Sequence, residues 1–469
     1  MSTAIHWFRN DLRLRDNGAL ALACGRADAL VPVFVLDDRL LGAATMGPPR
    51  VRFLLDCLAR LAADLEARGQ RLVLRRGAPE EVIPQLAEET RAHLVTWGRD
   101  TTPFARRRDA RVRAALERSG VEVREAKDRV VFEASEIRTR QGGAYTVFTP
   151  YRRAWRERWS QEAPAPRPAP RLPAPVPRVA SIPLPTAAWL GVGSDRTEIP
   201  TGGEVAARRR LRHFLEHGAR RYPEDRDRPA VDGTSRLSPH LRFGTLSARE
   251  CVQEAFEAAA AVPRLGRGVE KWVDELVWRE FYAAVLEAEP RVLREPQRRE
   301  YVRIVWDEDP RALAAWREGR TGYPIVDAGM RQLLATGWMH NRVRVLVASF
   351  LVKDLLLDWR HGERWFLKRL VDGDPASNDG GWQWCAGTGT DAAPYFRIFN
   401  PVSQGERFDP EGVYVRRFVP ELRDVPDRFV HRPWEAPRPP AGYPAPIVDH
   451  AERREEALAR YRAARGGRA

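Results

Sequence analysis

The chain has 469 residues, room for two or three domains, and 43% of them are apolar, enough to build real cores. Basic side chains number 78 against 64 acidic ones, a net charge of +14 that suits a polyanion, most simply nucleic acid. The four cysteines show no CxxC spacing, which argues against a zinc site or a disulfide framework; no run of about 18 apolar residues is present to span a membrane. The start runs straight into Ile5-His6-Trp7-Phe8-Arg9 with no apolar signal region. A reducing cytoplasmic setting is therefore expected. The basic set is almost all arginine, with lysine only at 127, 271, 353 and 368, a bias that a GC-rich genome also produces. Fifteen tryptophans are enough for base or flavin stacking as well as core filling.

The first 135 residues alternate strand and helix patterns. Strands are predicted at 4–8, 29–36, 71–74, 93–97 and 121–124. Helices are predicted from Gly18, over 51–65 on the spacing of Val51, Leu54, Leu55, Leu58, Leu61 and Leu65, and over 79–91 and 105–118. Alternating units of this kind predict a doubly wound parallel sheet covered by helices. Residues 160–186 hold nine prolines, which exclude helix interior and central strand. They predict an extended linker over the surface, so the expected division is an α/β domain at 1–135, a linker at 136–202 and an all-helical domain at 203–469. Helices are predicted there at 204–216, 247–260, 269–289, 324–336, 342–358 and 363–370. A last charged helix, 449–465, is expected to dock peripherally.

The turn after the first strand, 9–17, has no glycine, so a nicotinamide-dinucleotide site is not expected. Gly387-Thr388-Gly389-Thr390-Asp391-Ala392 fits a loose GxGxxA pattern, but no strand precedes it. His213 and His217 lie four apart, but flanking arginines would repel a cation, and a solvated face is the better reading; no metal is expected. Gly233-Thr234-Ser235-Arg236-Leu237-Ser238 reads either as a phosphate cradle or as an ordinary capped loop. Two stripes, Trp272/Glu275/Trp278/Arg279 and Trp338/Asn341/Arg342/Val345, mix tryptophan with charge at helical spacing. They read as cavity walls or as interdomain packing, because burying Glu275 or Arg342 unpaired is costly. The stretch 372–401 crowds Trp382, Trp384, Tyr395, Phe396 and Phe399 among acids, amides and glycines, with no clean period. Asn378 stands four before Trp382, so on a helix both face one side. A surface for a planar ligand and an irregular buried corner both remain open.

These motifs carry a resemblance. Trp7-Phe8-Arg9-Asn10-Asp11-Leu12-Arg13, Asp232 to Ser238, Glu275 to Tyr282, Thr321 to Asp327, Trp338 to Arg342 and the 372–401 stretch together resemble the photolyase/cryptochrome family, most closely the class I cyclobutane pyrimidine dimer photolyases, over nearly the whole chain. The resemblance implies FAD in the helical domain. It carries over Tyr222, Thr234, Ser235, Leu237, Ser238, Arg279, Arg344, Asp372, Asp374 and Asn378 as FAD contacts. Asn378 would sit opposite flavin N5, where an amide can donate or accept. Glu275, Trp278, Asn341, Arg342 and Trp384 would meet a pyrimidine dimer turned out of DNA, with Glu275 able to stabilise the reacting bases, and Arg397 and Gln404 would touch the backbone. Trp382, Trp359 and Trp306 would relay electrons from the surface. The implied activity is light-driven splitting of dimers in double- or single-stranded DNA by a monomer; the rival is a photosensor that binds FAD without repair.

Departures from the family pattern matter too. Val345 stands where many relatives carry methionine, and Asn341 where photolyases for the (6-4) lesion have histidine. Pro103-Phe104-Ala105-Arg106 replaces the Asn-Glu pair of folate binders, and Val292-Leu293-Arg294 lacks their Cys-Lys pair. A folate antenna is not expected, and a deazaflavin, a second flavin in the first domain or no antenna at all remains open.

Overall fold

The computed structural model describes residues 2–193 and 197–466. Five parallel strands, β1 (Thr3–Phe8), β2 (Ala29–Leu36), β3 (Val73–Arg76), β4 (Leu94–Gly98) and β5 (Glu122–Ala126), lie in the order β3-β2-β1-β4-β5. β1, β2 and β4 are buried along their whole length, as central strands covered on both faces require, whereas β3 is buried only at Val73 and Leu74 and the edge strand β5 only at Val123. The order reverses between β1 and β4. With right-handed crossovers, that places helices on both faces and opens a crevice at the strands' carboxyl ends. Ile5, Val33, Val95, Trp7 and Trp97 form the middle of this core, the two indoles meeting edge to face at 5.6 Å.

The proline-rich segment is not loose. Of the expected linker, 194–196 lie outside the described residues. The expected linker also contains a helix, Phe148–Gln161, which buries Phe148, Tyr151 and Trp155. Further on, Ala174–Pro175 forms β6 and pairs with β2 beyond the reach of β3. Gln70 donates to the Pro173 carbonyl at 2.7 Å, and Ile182 N–H to Leu74 at 3.0 Å. Proline cannot donate, but its carbonyl accepts, and that suffices to stitch the segment to a sheet edge.

By contact, the chain forms two compact units. The first comprises Met1–Asp195, Ile199–Arg220 and Ser235–Pro290; the second comprises Arg196–Glu198, Arg221–Thr234 and Arg291–Ala469. The helices Glu204–His213, Ser238–Phe243, Ala248–Ala261 and Gly266–Ala288 thus group with the sheet, a division that does not follow chain order. The turn after β1 explains why. Leu12 N–H donates to Phe243 O, Asp16 accepts from Ser247 Oγ at 2.5 Å and from Arg249 Nε at 3.0 Å, and a Cβ on Gly244 would lie 1.8 Å from Asn10 O. In place of a phosphate turn, the glycine-free motif of 9–17 is a polar anchor for residues 243–249.

The second unit is helical around Trp316, Met330, Leu346, Leu351, Phe366 and Trp382. The helix predicted over 342–358 is shorter, Asn341–Ser349, and passes into a π-turn at Phe350–Asp354. The wider turn buries two adjacent ionisable residues, Lys353 and Asp354, against the C-terminal helix His450–Gly466. No described helix is long and apolar enough to cross a membrane.

Lys353 yields a pH prediction. Burial pushes its ammonium down to about 7, although the Tyr461 ring lies 3.5 Å from Nζ and favours the charged form. Between that value and its ordinary one near 10.4 the unfolded chain holds a proton that the folded chain releases, so this group makes stability rise with pH. Lys353→Met should remove about 3 kcal/mol of the rise between pH 7 and 9.5. Urea midpoints of the two proteins at both pH values check this.

Candidate functional site

In the second unit the site is built on the helix Pro375–Ala386. Asp374 caps it, accepting Ser377 N–H at 3.1 Å, Pro375 opens it with its φ already helical, and Gly387 closes it at φ 73°. Asn378 and Trp382 do share a face, toward the helix Trp359–Arg369. Asn378 Nδ2 donates to Glu363 O at 3.0 Å and to Glu363 Oε1 at 3.1 Å. One turn on, the buried Trp382 ring lies against Gly362, where a Cβ would be 2.0 Å from the indole. Phe366 meets it edge-on at 5.0 Å. Trp384 is half-buried, and Cys385 Sγ reaches Val345 O at 3.9 Å, tying this helix to Asn341–Ser349.

Asp372 lies just before the cap and is buried. Arg344 donates to its Oδ2 at 2.9 Å and to Met339 O at 2.8 Å. Oδ1 is buried with no hydrogen-bond partner among the described residues. A buried carboxylate oxygen left this way costs free energy unless a donor reaches it. Tyr222 is buried in the short helix Tyr222–Asp225, its ring 5.5 Å from the Arg226 guanidinium. Gly233 leads into Thr234 so close to Asp225 that a Cβ would lie 2.5 Å from Asp225 Cβ. Hydroxyl, carboxylate and arginine groups of this kind fit the ribityl, phosphate and ring edges of a flavin nucleotide.

Asn341 is exposed at the start of its helix, which His340 caps. Trp338 lies before that helix, so the predicted stripe Trp338/Asn341/Arg342/Val345 is not one helical face. Arg342 is paired with Asp227, NH2 to Oδ1 at 2.7 Å, and sits 4.5 Å over the Phe408 ring. Gln404 is half-buried on the helix Pro401–Phe408, and Arg397 is exposed beside Phe399. Trp359 is buried, its Nε1 without an acceptor among the described residues. Trp306 is partly buried, and an isolated parallel bridge from Asp307 to Leu357 lays its segment beside the one that leads into Trp359.

In the first unit, Ser235 O accepts from Arg210 Nε at 2.8 Å, Arg236 is left-handed at φ 51°, and buried Leu237 precedes the helix that starts at Ser238. A non-glycine residue held in this region marks a loop whose shape is imposed by its surroundings. On the helix Gly266–Ala288, Arg279 donates to Arg129 O at 2.5 Å and to Leu241 O at 3.1 Å. Glu275 is half-buried. Trp278 stacks on Phe148 at 3.6 Å and 9°, a partner that sequence spacing gave no sign of. Trp272 corrects the cavity-wall reading: it is buried and packs on Phe214, so that end of the stripe is core. His213 and His217 lie one above the other on their helix. The rings stack at 4.6 Å and His217 Nδ1 meets His213 O at 3.0 Å.

The crevice at the carboxyl ends of β1 and β4 is lined by Arg9, Asn10, Asp11, Asp100, Asp128 and Arg129. Burial raises the Asp100 carboxyl, but Arg129 and Arg9 outweigh it and hold the group well below the usual range. Arg9 in turn binds Asp109 at 2.6 Å. The crevice is thus a closed network of ion pairs.

A doubly wound sheet with an Asx-capped, tryptophan-bearing helix in a helical second unit is the architecture of photolyases and cryptochromes. Residues 4–171 match the model for DNA photolyase, and residues 272–463 match the FAD binding domain of DNA photolyase. The chain is 45% identical to a deoxyribodipyrimidine photo-lyase of Halobacterium salinarum, over 98% of this chain and 99% of that one. Among solved structures it is similar to a class III photolyase of Agrobacterium tumefaciens, with 39% identity, a TM-score of 0.93 and coverage of 100% of this chain and 98% of that one. It is also similar to a Synechocystis cryptochrome, with 31% identity, a TM-score of 0.89 and coverage of 98% and 99%. The chain belongs to the DNA photolyase family.

Proposed function

We propose that the protein is a deoxyribodipyrimidine photo-lyase that repairs cyclobutane pyrimidine dimers in double- or single-stranded DNA under blue light. The observation that carries this reading is end-to-end likeness to proteins of that name at 45% identity. The fold alone does not separate repair from light sensing, since a cryptochrome shares it. The test is direct. Reduced, flavin-loaded protein mixed with a dimer-containing oligonucleotide should remove dimers in blue light and not in the dark. No light-dependent loss would overturn the reading.

FAD would be held by Tyr222, Thr234, Ser235, Leu237, Ser238, Arg279, Arg344, Asp372, Asp374 and Asn378. Bound and reduced, it would supply on excitation the electron that opens the cyclobutane ring and take it back afterwards. The chain's own part is to bind and orient. Asp372 Oδ1 takes a ligand donor. Glu363 fixes the Asn378 amide by taking its N–H groups, which leaves the carbonyl oxygen to turn to the ring. Glu275 and Asn341 hydrogen-bond the extruded bases, Trp278 and Trp384 cover them, and Arg342, Arg397 and Gln404 meet the phosphodiester. Refilling runs from Trp306 through Trp359 to Trp382: each electron passed inward is replaced from outside, and an external thiol reductant restores Trp306. The buried Trp359 N–H, with no acceptor among the described residues, supports this direction, because an oxidised indole sheds its proton only where a base or water reaches it.

Arg342 offers a measurable check on DNA contact. Its charge is offset by Asp227, so a phosphate must share or displace that partner. Arg342→Ala should weaken lesion binding and flatten the slope of log K against log salt by about 1, as loss of one phosphate contact requires. Filter binding at several salt concentrations reads both.

Any second chromophore would be a deazaflavin or a flavin and not a folate, with no antenna as the alternative; the division into an antenna-type domain at 1–135, a linker and a helical domain from 203 also belongs to this proposal. So do a monomeric state and a cytoplasmic location, nucleoid-associated in a bacterium.

A further inference from the structure

The C-terminal helix, His450–Gly466, is exposed along most of its length and docks through one face, burying Ala457, Leu458, Tyr461 and Ala464. Its polar contacts converge on one short segment. Arg453 and Arg460, two turns apart and so on one face, grip the two oxygens of one carboxylate: Arg453 NH2 to Asp307 Oδ2 at 2.6 Å, Arg460 NH2 to Asp307 Oδ1 at 2.7 Å. Arg460 NH1 also donates to Val305 O at 2.9 Å. Trp306 lies between these two held residues, 6.4 Å from the Tyr461 ring and edge-on to it.

Ile304 and Trp306 pack against neighbouring core clusters, and the polar ties of the segment are few. It follows a 3-10 turn that ends at Arg303, and its backbone tie is a single bridge, Asp307 N–H to Leu356 O at 2.8 Å. Leu356 is left-handed at φ 54°, a strained conformation for a buried leucine. The helix, by contrast, is anchored along its length. His450 Nδ1 meets Asp354 Oδ1 at 2.5 Å, Arg453 Nε donates to Asp354 O at 2.8 Å, and Tyr461 OH donates to Ala386 O at 2.6 Å. Glu456 faces both arginines and fixes their rotamers, Arg453 NH1 lying 2.6 Å from its Oε2. The anchored helix therefore clamps the segment through three side-chain contacts.

We infer that the C-terminal helix is the positioning element for electron entry, with Arg453 and Arg460 holding Trp306 in place through Asp307 and Val305. The inference rests on the relay reading above. Its physical basis is that a redox group works only when its supporting residues hold it in register with the next one. Neither arginine touches flavin or DNA in this role, so repair of dimers by enzyme already reduced does not depend on them.

The experiment uses the full-length, flavin-loaded protein with Arg453→Gln and Arg460→Gln combined. Four results are expected. Amide hydrogen exchange at residues 305–307 rises at least tenfold while the helix 375–386 keeps its protection. Photoreduction of oxidised flavin by external thiol slows about tenfold, equal to ~1.4 kcal/mol on the barrier. Repair by chemically reduced enzyme stays at the wild-type rate, and the paired arginine-to-lysine variant recovers part of the photoreduction. Unchanged photoreduction, or a parallel fall in repair, overturns the inference. Should the double variant not fold, Arg460→Gln alone carries the same comparison. Trp306→Phe separates the two levels: if it leaves photoreduction intact, the relay reading fails; if it abolishes photoreduction while the arginine variants do not change it, only the positioning role fails.

Discussion

Replacing Trp382 by Phe will abolish photoreduction of the oxidised flavin while enzyme reduced beforehand still repairs dimers. The site makes this substitution unusually clean. Trp382 is buried, its ring lies on the backbone of Gly362, and Phe366 meets it edge-on, so a phenyl ring keeps most of the packing. What it loses is an oxidisable indole. The volume change leaves a modest cavity, costing about 1–2 kcal/mol of stability, too little to unfold the protein. Photoreduction should fall by at least about a hundredfold, equal to ~2.7 kcal/mol on the barrier. Absorbance of the oxidised flavin under continuous light with thiol present measures it. Unchanged photoreduction would remove Trp382 from the relay. Gly362→Ala is the complementary probe, because its methyl would occupy the space of the Trp382 ring.

The second large effect is expected at Arg344. Its guanidinium supplies the hydrogen bond to Asp372 Oδ2, and the other carboxylate oxygen is buried with no partner among the described residues. Arg344→Met keeps the aliphatic stem and strands the buried charge, which should cost about 3 kcal/mol, the lower end for a broken buried pair because Arg344 is itself partly exposed. Flavin retained through purification should fall with it. Adding Asp372→Asn should return part of the stability, since a neutral amide pays less for burial, but not the flavin, since the carboxylate is what the ligand's donor would meet. Urea midpoints and the flavin-to-protein absorbance ratio of the four proteins close the cycle. Full recovery of flavin in the double variant would exclude Asp372 as a ligand contact.

The sheet was legible because buried parallel strands are written as continuous apolar runs and their helices as 3.6-residue stripes. The observed strands lie within two residues of those predicted. Most of the longer helices were legible from their apolar spacing, while several short ones were not. Pro310–Glu318, Pro375–Ala386 and Pro401–Phe408 were missed, and all three begin with an Asx-Pro pair in which Asp309, Asp374 or Asn400 caps the first turn. That chemistry was in the sequence as a start signal, hidden because the helix Pro375–Ala386 is buried on more than one side and so shows no amphipathic period.

The residues by themselves determined the α/β order, the exclusion of a dinucleotide turn and, through the motifs at 232–238, 275–282 and 372–401, the family. Local order and local chemistry set these, and both travel with the chain. Tertiary structure alone decided that Glu363 orients Asn378, that Gly362 makes room for Trp382, that Trp278 lies on Phe148 and that the last helix grips the segment of Trp306. Each joins residues from 15 to more than 140 positions apart or depends on which helix face meets which, and no spacing along one chain encodes that.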